Sequence, residues 1–388
     1  MSLISRADRG LIANWWFTVD RLLLTALLML MVIGALLSMA ASPPVAERLN
    51  VNAFYFFHRH LVFLVPAVIA LVAASFATPQ LARRVCLAIF VVGVVMMALT
   101  LVIGPEVKGA RRWLEIGPIS LQPSEFVKPA FVVLAAWFLS EGARNRTIWG
   151  YLIATGMLGI VAGLLVMQPD YGQTILIAAV WAVMLFLTGI SWFWILGLGC
   201  LGVFAGTIAY ATGDHFASRI DRFLNKDAGD TFQVDRAIDA FAHGGLYGVG
   251  PGSGTVKAVI PDAHSDFVFS VAGEEFGFIV CLGILLIFAF VVIRGLRHCL
   301  NAQDPFCALA TAGLVSVFGF QSFINMGVNV SLLPAKGMTL PLVSYGGSSL
   351  AAMGLGMGLM VALARRTPMG HMPNQANMAV GLAAMGRS

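Results

Sequence analysis

The chain alternates between long apolar runs and polar connections. The runs cover 22–41, 55–77, 82–104, 123–140, 148–167, 171–188, 191–212, 266–293, 305–327 and 346–364. Each is close to the ~20 residues that a helix needs to cross the hydrocarbon core of a bilayer. The pattern predicts an all-α integral membrane protein, a single bundle of ten transmembrane helices within residues 1–366. The tail, 367–388, is small, polar and Met-rich, and is expected to be disordered. Two connections are long, 105–122 and 213–265; a third, 328–345, carries Pro334, Pro341 and Gly337. Such a non-helical stretch at membrane depth is tolerated only where it lines protein or water.

The largest connection has a pattern of its own. Phe216, Ile220, Phe223 and Leu224 fall at helical spacing, and so do Val234, Ala237, Ile238 and Phe241. Two short amphipathic helices at the membrane interface are predicted. A glycine-rich stretch follows, with Gly244, Gly245, Gly248, Gly250, Gly252 and Gly254. No strand precedes it, so it is not a dinucleotide fingerprint. It reads either as a flexible turn or as a nest of backbone N–H groups for an anion.

Charge then sets the orientation. Arg6 and Arg9, Arg83 and Arg84, Arg144 and Arg146, Arg294 and Arg297, and Arg365 and Arg366 flank alternate ends of the ten runs. Basic residues near span ends face the cytoplasm. Both termini are therefore expected to be cytoplasmic, with the large loop between helices 7 and 8 periplasmic. Lys108, Lys128, Lys226, Lys257 and Lys336 fall on the outer side, with Arg111, Arg112 and acids such as Glu106, Asp170, Asp262 and Asp266. This is either a solvated face or an outward polar site for an anionic substrate.

Composition narrows the class. Of 388 residues, 59% are hydrophobic and 11% charged, against about 25% charged in soluble domains. An ordinary cytosolic enzyme, a disordered chain and a secreted disulfide scaffold are excluded, and nothing points to nucleic acid. The 5 cysteines are odd in number and lack paired spacing, which argues against a disulfide framework or a zinc site. The first run follows Arg6, Arg9 and Arg21 but is long for a signal-peptide core, so it is read as a span.

Polar residues concentrate at the mouths of the runs. Pro123 suits a first helical turn, and Glu125 and Lys128 then share one helix face. They read as part of a polar cavity or as an ion pair anchoring a helix end. Asp170, between two runs, reads as a turn cap or a functional acid. Asp266 opens the eighth run, with Ser270, Gly273 and Gly277 on the stripe below it. That small stripe leaves room for a ligand or for a close helix. Asp266 is either a helix N-cap or a carboxylate placed to act as a general base. His264 and Asp266 could ligate a metal, but no third and fourth ligands are spaced nearby.

These segments together resemble the SEDS family of cell-wall glycosyltransferases, which has FtsW and RodA branches. The motifs are Lys-Gly-Ala-Arg-Arg-Trp at 108–113, Gln-Pro-Ser-Glu at 122–125 with Lys128, Gln-Pro-Asp at 168–170 and His-Ser-Asp-Phe at 264–267. Glu-Glu-Phe-Gly at 274–277 and Ser-Tyr-Gly-Gly-Ser-Ser at 344–349 complete the set, and 329–341 looks like the FtsW branch. Ser265 and Phe276 are mild departures from the family pattern. The resemblance implies a ten-span protein of the bacterial cytoplasmic (inner) membrane that polymerises lipid II during septum formation. It also implies a complex with a class B penicillin-binding protein, the transpeptidase FtsI, and with other division proteins.

By the same resemblance the catalytic aspartate falls on Asp266, with Glu125 and Lys128 as further cavity residues. Arg111, Arg112, Trp113, Gln122, Asp170, Lys257, His264, Asn329, Lys336, Ser344, Tyr345 and Ser348 are expected to bind substrate. The leaving diphosphate needs cations, for which Lys128, Lys336, Arg111 and Arg112 are candidates. A divalent cation, Mg2+ or Mn2+, would suit such chemistry, although the sequence shows no dedicated site for it. The rival readings are a lipid II flippase or transporter, which should need polar groups across the whole bilayer, and a scaffolding division protein. Glu274 and Glu275 are the only ionisable residues expected deeper in the eighth run.

Overall fold

The computed structural model describes residues 10–107, 109–117, 119–191, 232–334 and 337–365, with scattered positions between 193 and 211. Among these residues the helices are α1 (Leu11–Thr18), α2 (Arg21–Arg48), α3 (Tyr55–Ser75), α4 (Pro79–Ile103), α5 (Pro123–Asn145), α6 (Trp149–Met167) and α7 (Tyr171–Leu187), followed by α8 (Phe232–Gly244), α9 (Val268–Leu300), α10 (Pro305–Asn329) and α11 (Gly347–Leu363). A small antiparallel hairpin, β1 (Leu114–Ile116) and β2 (Ile119–Leu121), lies between α4 and α5. It was not predicted, because three-residue strands carry almost no periodicity.

Among the described residues, seven helices are long and apolar enough to cross a membrane: α2, α3, α4, α5, α6, α9 and α10. Two more, α7 and α11, are apolar but have 17 residues each, about 26 Å at 1.5 Å per residue. The run at 191–212 falls largely outside the described residues, as do the predicted amphipathic helix around 216–224 and the tail. The second amphipathic helix is α8.

Pro123 opens a helix as the sequence predicts, and other helices start in the same way. Pro79, Pro123 and Pro305 open α4, α5 and α10, where a missing N–H costs nothing. Thr78 and Asp304 cap the first turns of α4 and α10. Asp20 caps α2 and also accepts from Arg294 at 2.5 Å and His298 at 2.6 Å, tying α2 to the far end of α9. Burial opposes its charge, but these bonds and the Leu23 N–H outweigh burial and hold the carboxyl below its ordinary range.

In the bundle, α5 and α10 are central. Of their most apolar windows, 72% and 67% are buried, against 22% for α3 and α6 and 28% for α4 and α9. Apolar side chains gain little by exchanging lipid for protein, so close backbone approach drives packing in a membrane. α3 and α11 approach in this way: a Cβ on Gly354 would lie 2.5 Å from the Ala67 carbonyl, and one on Gly358 2.4 Å from that of Leu71. The first apolar run is a full member of the bundle. α2 buries Leu23, Leu27, Leu30 and Leu37 and continues through Pro43 and Pro44 to Arg48, past its predicted end at residue 41.

The eighth run differs most from expectation. α9 is interrupted at Gly277, whose φ of 79° and ψ of 178° are not helical. Above the break, Val268 to Glu275 are all buried; below it, Phe278, Ile279 and Val280 are exposed. The upper part is enclosed by protein, and the lipid-facing helix begins at Phe278. Hydropathy could not separate them, since Val268–Gly277 is apolar except for Glu274 and Glu275.

The glycine stretch completes this break. The Val249 and Gly250 N–H groups donate to the Glu274 and Glu275 carbonyls, and the Gly245 and Leu246 carbonyls accept from Phe278 and Ile279. Thus the backbone groups freed by the break are paired, as low-dielectric surroundings demand. A Cβ on Gly248 would lie 2.2 Å from the Glu275 carbonyl, so only glycine fits. The room left by Gly273 is likewise taken by the Phe241 ring of α8, 2.2 Å from where a Cβ would stand. The small stripe below Asp266 admits a close helix rather than a ligand.

Candidate functional site

A cavity of about 740 Å³ opens among α3, α5, α7, α8, α10 and the 331–347 segment. Its size falls within the ~300–1,000 Å³ of small-molecule sites. Asp266, Glu125, Arg112, Trp113, Gln122, His264 and Tyr345, all candidates from the sequence, line it together. Asp262, one of the acids read on the outer side, lines it too, and so do Arg59, Gln173, Asp235, Thr339 and Ser349, which were missed. Arg59 and Gln173 were hidden inside apolar runs, where single polar residues give no periodic signal.

Asp266 is fixed through its backbone. Its carbonyl accepts from the side-chain amides of Asn325 at 2.9 Å and Asn329 at 3.0 Å, both on α10. Asn329 turns its carbonyl oxygen to the N–H of Ser270 at 3.1 Å and the Ser270 hydroxyl at 2.6 Å. A residue of another helix thus caps the first turn of α9. The position before that helix is Phe267, which makes no side-chain cap. Asp266 is therefore not the helix cap, and it lines the cavity.

On the floor, Glu125 and Lys128 form a buried ion pair at 2.9 Å. Gln173 clamps both: its amide N–H donates to Glu125 at 2.9 Å, and its carbonyl accepts from Lys128 at 2.9 Å. Lys128 also donates to Gln321 at 3.1 Å, whose own N–H donates to the Thr339 carbonyl at 3.1 Å. An ammonium has three N–H donors. Glu125, Gln173 and Gln321 occupy them all, and Lys128 is not among the cavity-lining residues. Lys128 therefore holds the floor together, with all three donors engaged within the protein.

Arg112 lines the same cavity, and Asp170, buried and not among the lining residues, lies beside it. Arg112 donates to the Pro169 carbonyl at 2.8 Å and the Gln168 carbonyl at 3.3 Å, and lies 3.5 Å from Asp170. That charge contact lacks hydrogen-bond geometry. Burial pushes the Asp170 carboxyl up, and the nearby Arg112 only partly offsets it. Asp170 also caps α7 through the Gln173 N–H at 3.4 Å, as the cap reading expects.

Several candidates lie away from the cavity. Lys257 is buried, bonded to Glu275 and to the Ala40 carbonyl at 3.0 Å. Its charge is spent inside the protein because the glycine stretch folds it against α9. The turn just after that stretch holds the protein's own carboxylate: Glu274, fully buried, accepts from the N–H groups of Val256 and Lys257 at 2.7 Å and from His243 at 3.0 Å, while within the stretch the Gly252 N–H donates to Glu275 at 3.1 Å. Asn329 is a buried support, as described. Ser344 donates to the Ser265 carbonyl at 2.5 Å, and Ser348 accepts from the Gln122 N–H at 3.2 Å; both hold lining residues without lining the cavity. Arg111 is exposed and pairs with Glu106 at 3.5 Å. Lys336 lies outside the described residues. Among these residues no group of three His, Cys, Asp or Glu is placed to hold a metal ion.

With the geometry in place, comparisons place the chain among known proteins. A family model described as cell cycle protein, covering FtsW, RodA and SpoVE, matches residues 20–368. A probable peptidoglycan glycosyltransferase FtsW of Caulobacter vibrioides is 41% identical over 94% of both chains. One from Escherichia coli O157:H7 is 32% identical over 86% of this chain and 83% of its own. Among solved structures, a chain of a peptidoglycan synthase complex that coordinates polymerization and crosslinking superposes with a TM-score of 0.74, at 25% identity, over 90% of this chain and 98% of the other. The rod shape determining protein RodA of Thermus thermophilus gives 0.67 at 26% identity, over 90% and 97%. The chain belongs to the FtsW/RodA/SpoVE family of cell cycle proteins.

Proposed function

We propose that the protein is a peptidoglycan glycosyltransferase that polymerises lipid II into glycan strands at the division septum. Residues 1–366 form its ten-span domain in the bacterial cytoplasmic membrane, with both termini cytoplasmic and 213–265 periplasmic. A class B penicillin-binding protein of the FtsI type works beside it. This is supported by the kinship with FtsW proteins and by the likeness to a synthase-complex chain.

The observation that carries the mechanism is the shared cavity, in which Asp266, Glu125, Arg112 and Arg59 face one space. The acceptor 4-hydroxyl oxygen attacks the anomeric carbon of the donor sugar, and the bond from that carbon to the diphosphate breaks with inversion. Asp266 takes the hydroxyl proton, a role that needs a carboxylate within reach of substrate. Arg112 and Arg59 face the departing negative charge. The described residues offer no cluster for a cation, so no step is assigned to one. The deep acids Glu274 and Glu275 are consumed by internal bonds, which favours synthesis over transport.

The test is polymerisation of labelled lipid II by the purified protein with its transpeptidase partner. Asp266→Asn keeps the side-chain shape and the supporting backbone bonds but cannot accept a proton. It should insert and bind its partner while losing polymerisation by the ~10²–10⁴-fold of general-base catalysis. A loss below tenfold would remove Asp266 from that role.

A further inference from the structure

The floor of the cavity has chemistry that the transfer step does not use. Glu125 spends one oxygen on Lys128 and the other on Gln173, yet a carboxylate offers about four acceptor sites. Gln173 spends one of its two amide N–H donors on Glu125. Both residues line the cavity, whereas Lys128 behind them does not. The side facing the cavity therefore carries an acceptor of negative charge beside a neutral donor. An anionic diphosphate would be repelled there, and no ammonium donor remains to draw it in.

We propose that Glu125 and Gln173 form a subsite for the neutral hydroxyl and acetamido groups of a sugar ring, with Gln173 as a substrate-binding residue. This deepens the proposed function and rests on it. Hydroxyls donate to Glu125, and an acetamido carbonyl or ring oxygen accepts from Gln173. The cavity is then divided by chemistry: sugar on the Glu125–Gln173 floor, diphosphate towards Arg59 and Arg112. The orientation of Gln173 is not free, because turning its amide would set a carbonyl against Glu125 and an N–H₂ against Lys128. Gln321 has its amide fixed by Thr339 and is a positioning residue for Lys128.

Gln173→Met keeps length and volume while removing both amide functions. Together with its transpeptidase, this variant should polymerise lipid II with an apparent KM raised about tenfold or more and kcat changed much less, the signature of lost ground-state binding. In an Asp266→Asn background, which cannot turn over, direct binding of fluorescent lipid II should weaken about tenfold as well. Gln173→Glu, which keeps an acceptor for Lys128 but loses the donor, should behave alike and serves if the Met variant fails to insert. Unchanged KM and unchanged binding in a folded variant would overturn the subsite and leave Gln173 a brace. Wild type that makes no polymer would instead overturn the proposed function itself.

Discussion

Asn329→Asp is a nearly isosteric change at a fully buried position, and it isolates what supports Asp266. In the native protein the Asn329 amide nitrogen donates to the Asp266 carbonyl at 3.0 Å and to the Asn325 carbonyl at 2.9 Å. Its oxygen accepts from Ser270, and the aspartate would keep that half. The other half would set a carboxylate oxygen about 3 Å from two carbonyl oxygens. Two hydrogen bonds vanish at ~1 kcal/mol each, and the new buried carboxylate oxygen is left without a donor at ~1–3 kcal/mol. The expected loss of stability is about 3–5 kcal/mol at neutral pH. A protonated acid can donate once, so acidification should recover part of the loss. Displacement of Asp266 by about 1 Å would cost on the order of 10²-fold in rate. Thermal melting in detergent across pH, together with polymerisation of lipid II, measures both. A variant that melts like wild type at neutral pH and polymerises at the wild-type rate would refute the account of how Asp266 is held.

Two further outcomes follow from the ion pairs. Exchanging Glu125→Lys with Lys128→Glu should leave the protein inactive in the same assay, because Gln173 and Gln321 present acceptors to position 128; full recovery would reduce the pair to a helix anchor. Asp20 has a folded pKa below its ordinary 3.8, so its stabilising contribution is complete above that value and is lost as pH falls through the folded pKa. Melting profiles below pH ~4 should therefore flatten in Asp20→Asn relative to wild type.

Much of this architecture was legible because a bilayer imposes length and apolarity on every span. The proline start signal of α5 could be read directly, as could the helical spacing that became α8. The break in α9 could not, since Gly277 looks like any small residue on a packed stripe until another backbone is seen against it. In the site, Asp266 and Glu125 were singled out by chemistry at the mouths of runs, Arg112 and Tyr345 by the family resemblance, and all four line one cavity. Lys257, Asn329, Ser344 and Ser348 carry the same kinds of groups but turn them inward. Only the fold determines whether a polar atom meets substrate or a neighbouring carbonyl. Gln173 and Gln321 were silent because a glutamine within an apolar run has no period and no charge.

The interruption at Gly277 also divides the molecule into units that can open separately. The segment bearing Asp266 exchanges its last backbone bonds with the glycine stretch behind α8, and the lipid-facing helix begins with bonds to that same stretch. Local opening in proteins follows such bonded units. The amides of Val249, Gly250, Phe278 and Ile279 should thus exchange with solvent deuterium as one group, ahead of those deep in α10. Both halves of α9 thereby depend on one stretch of backbone, and the Phe241 ring of α8 is seated against Gly273 in the upper half.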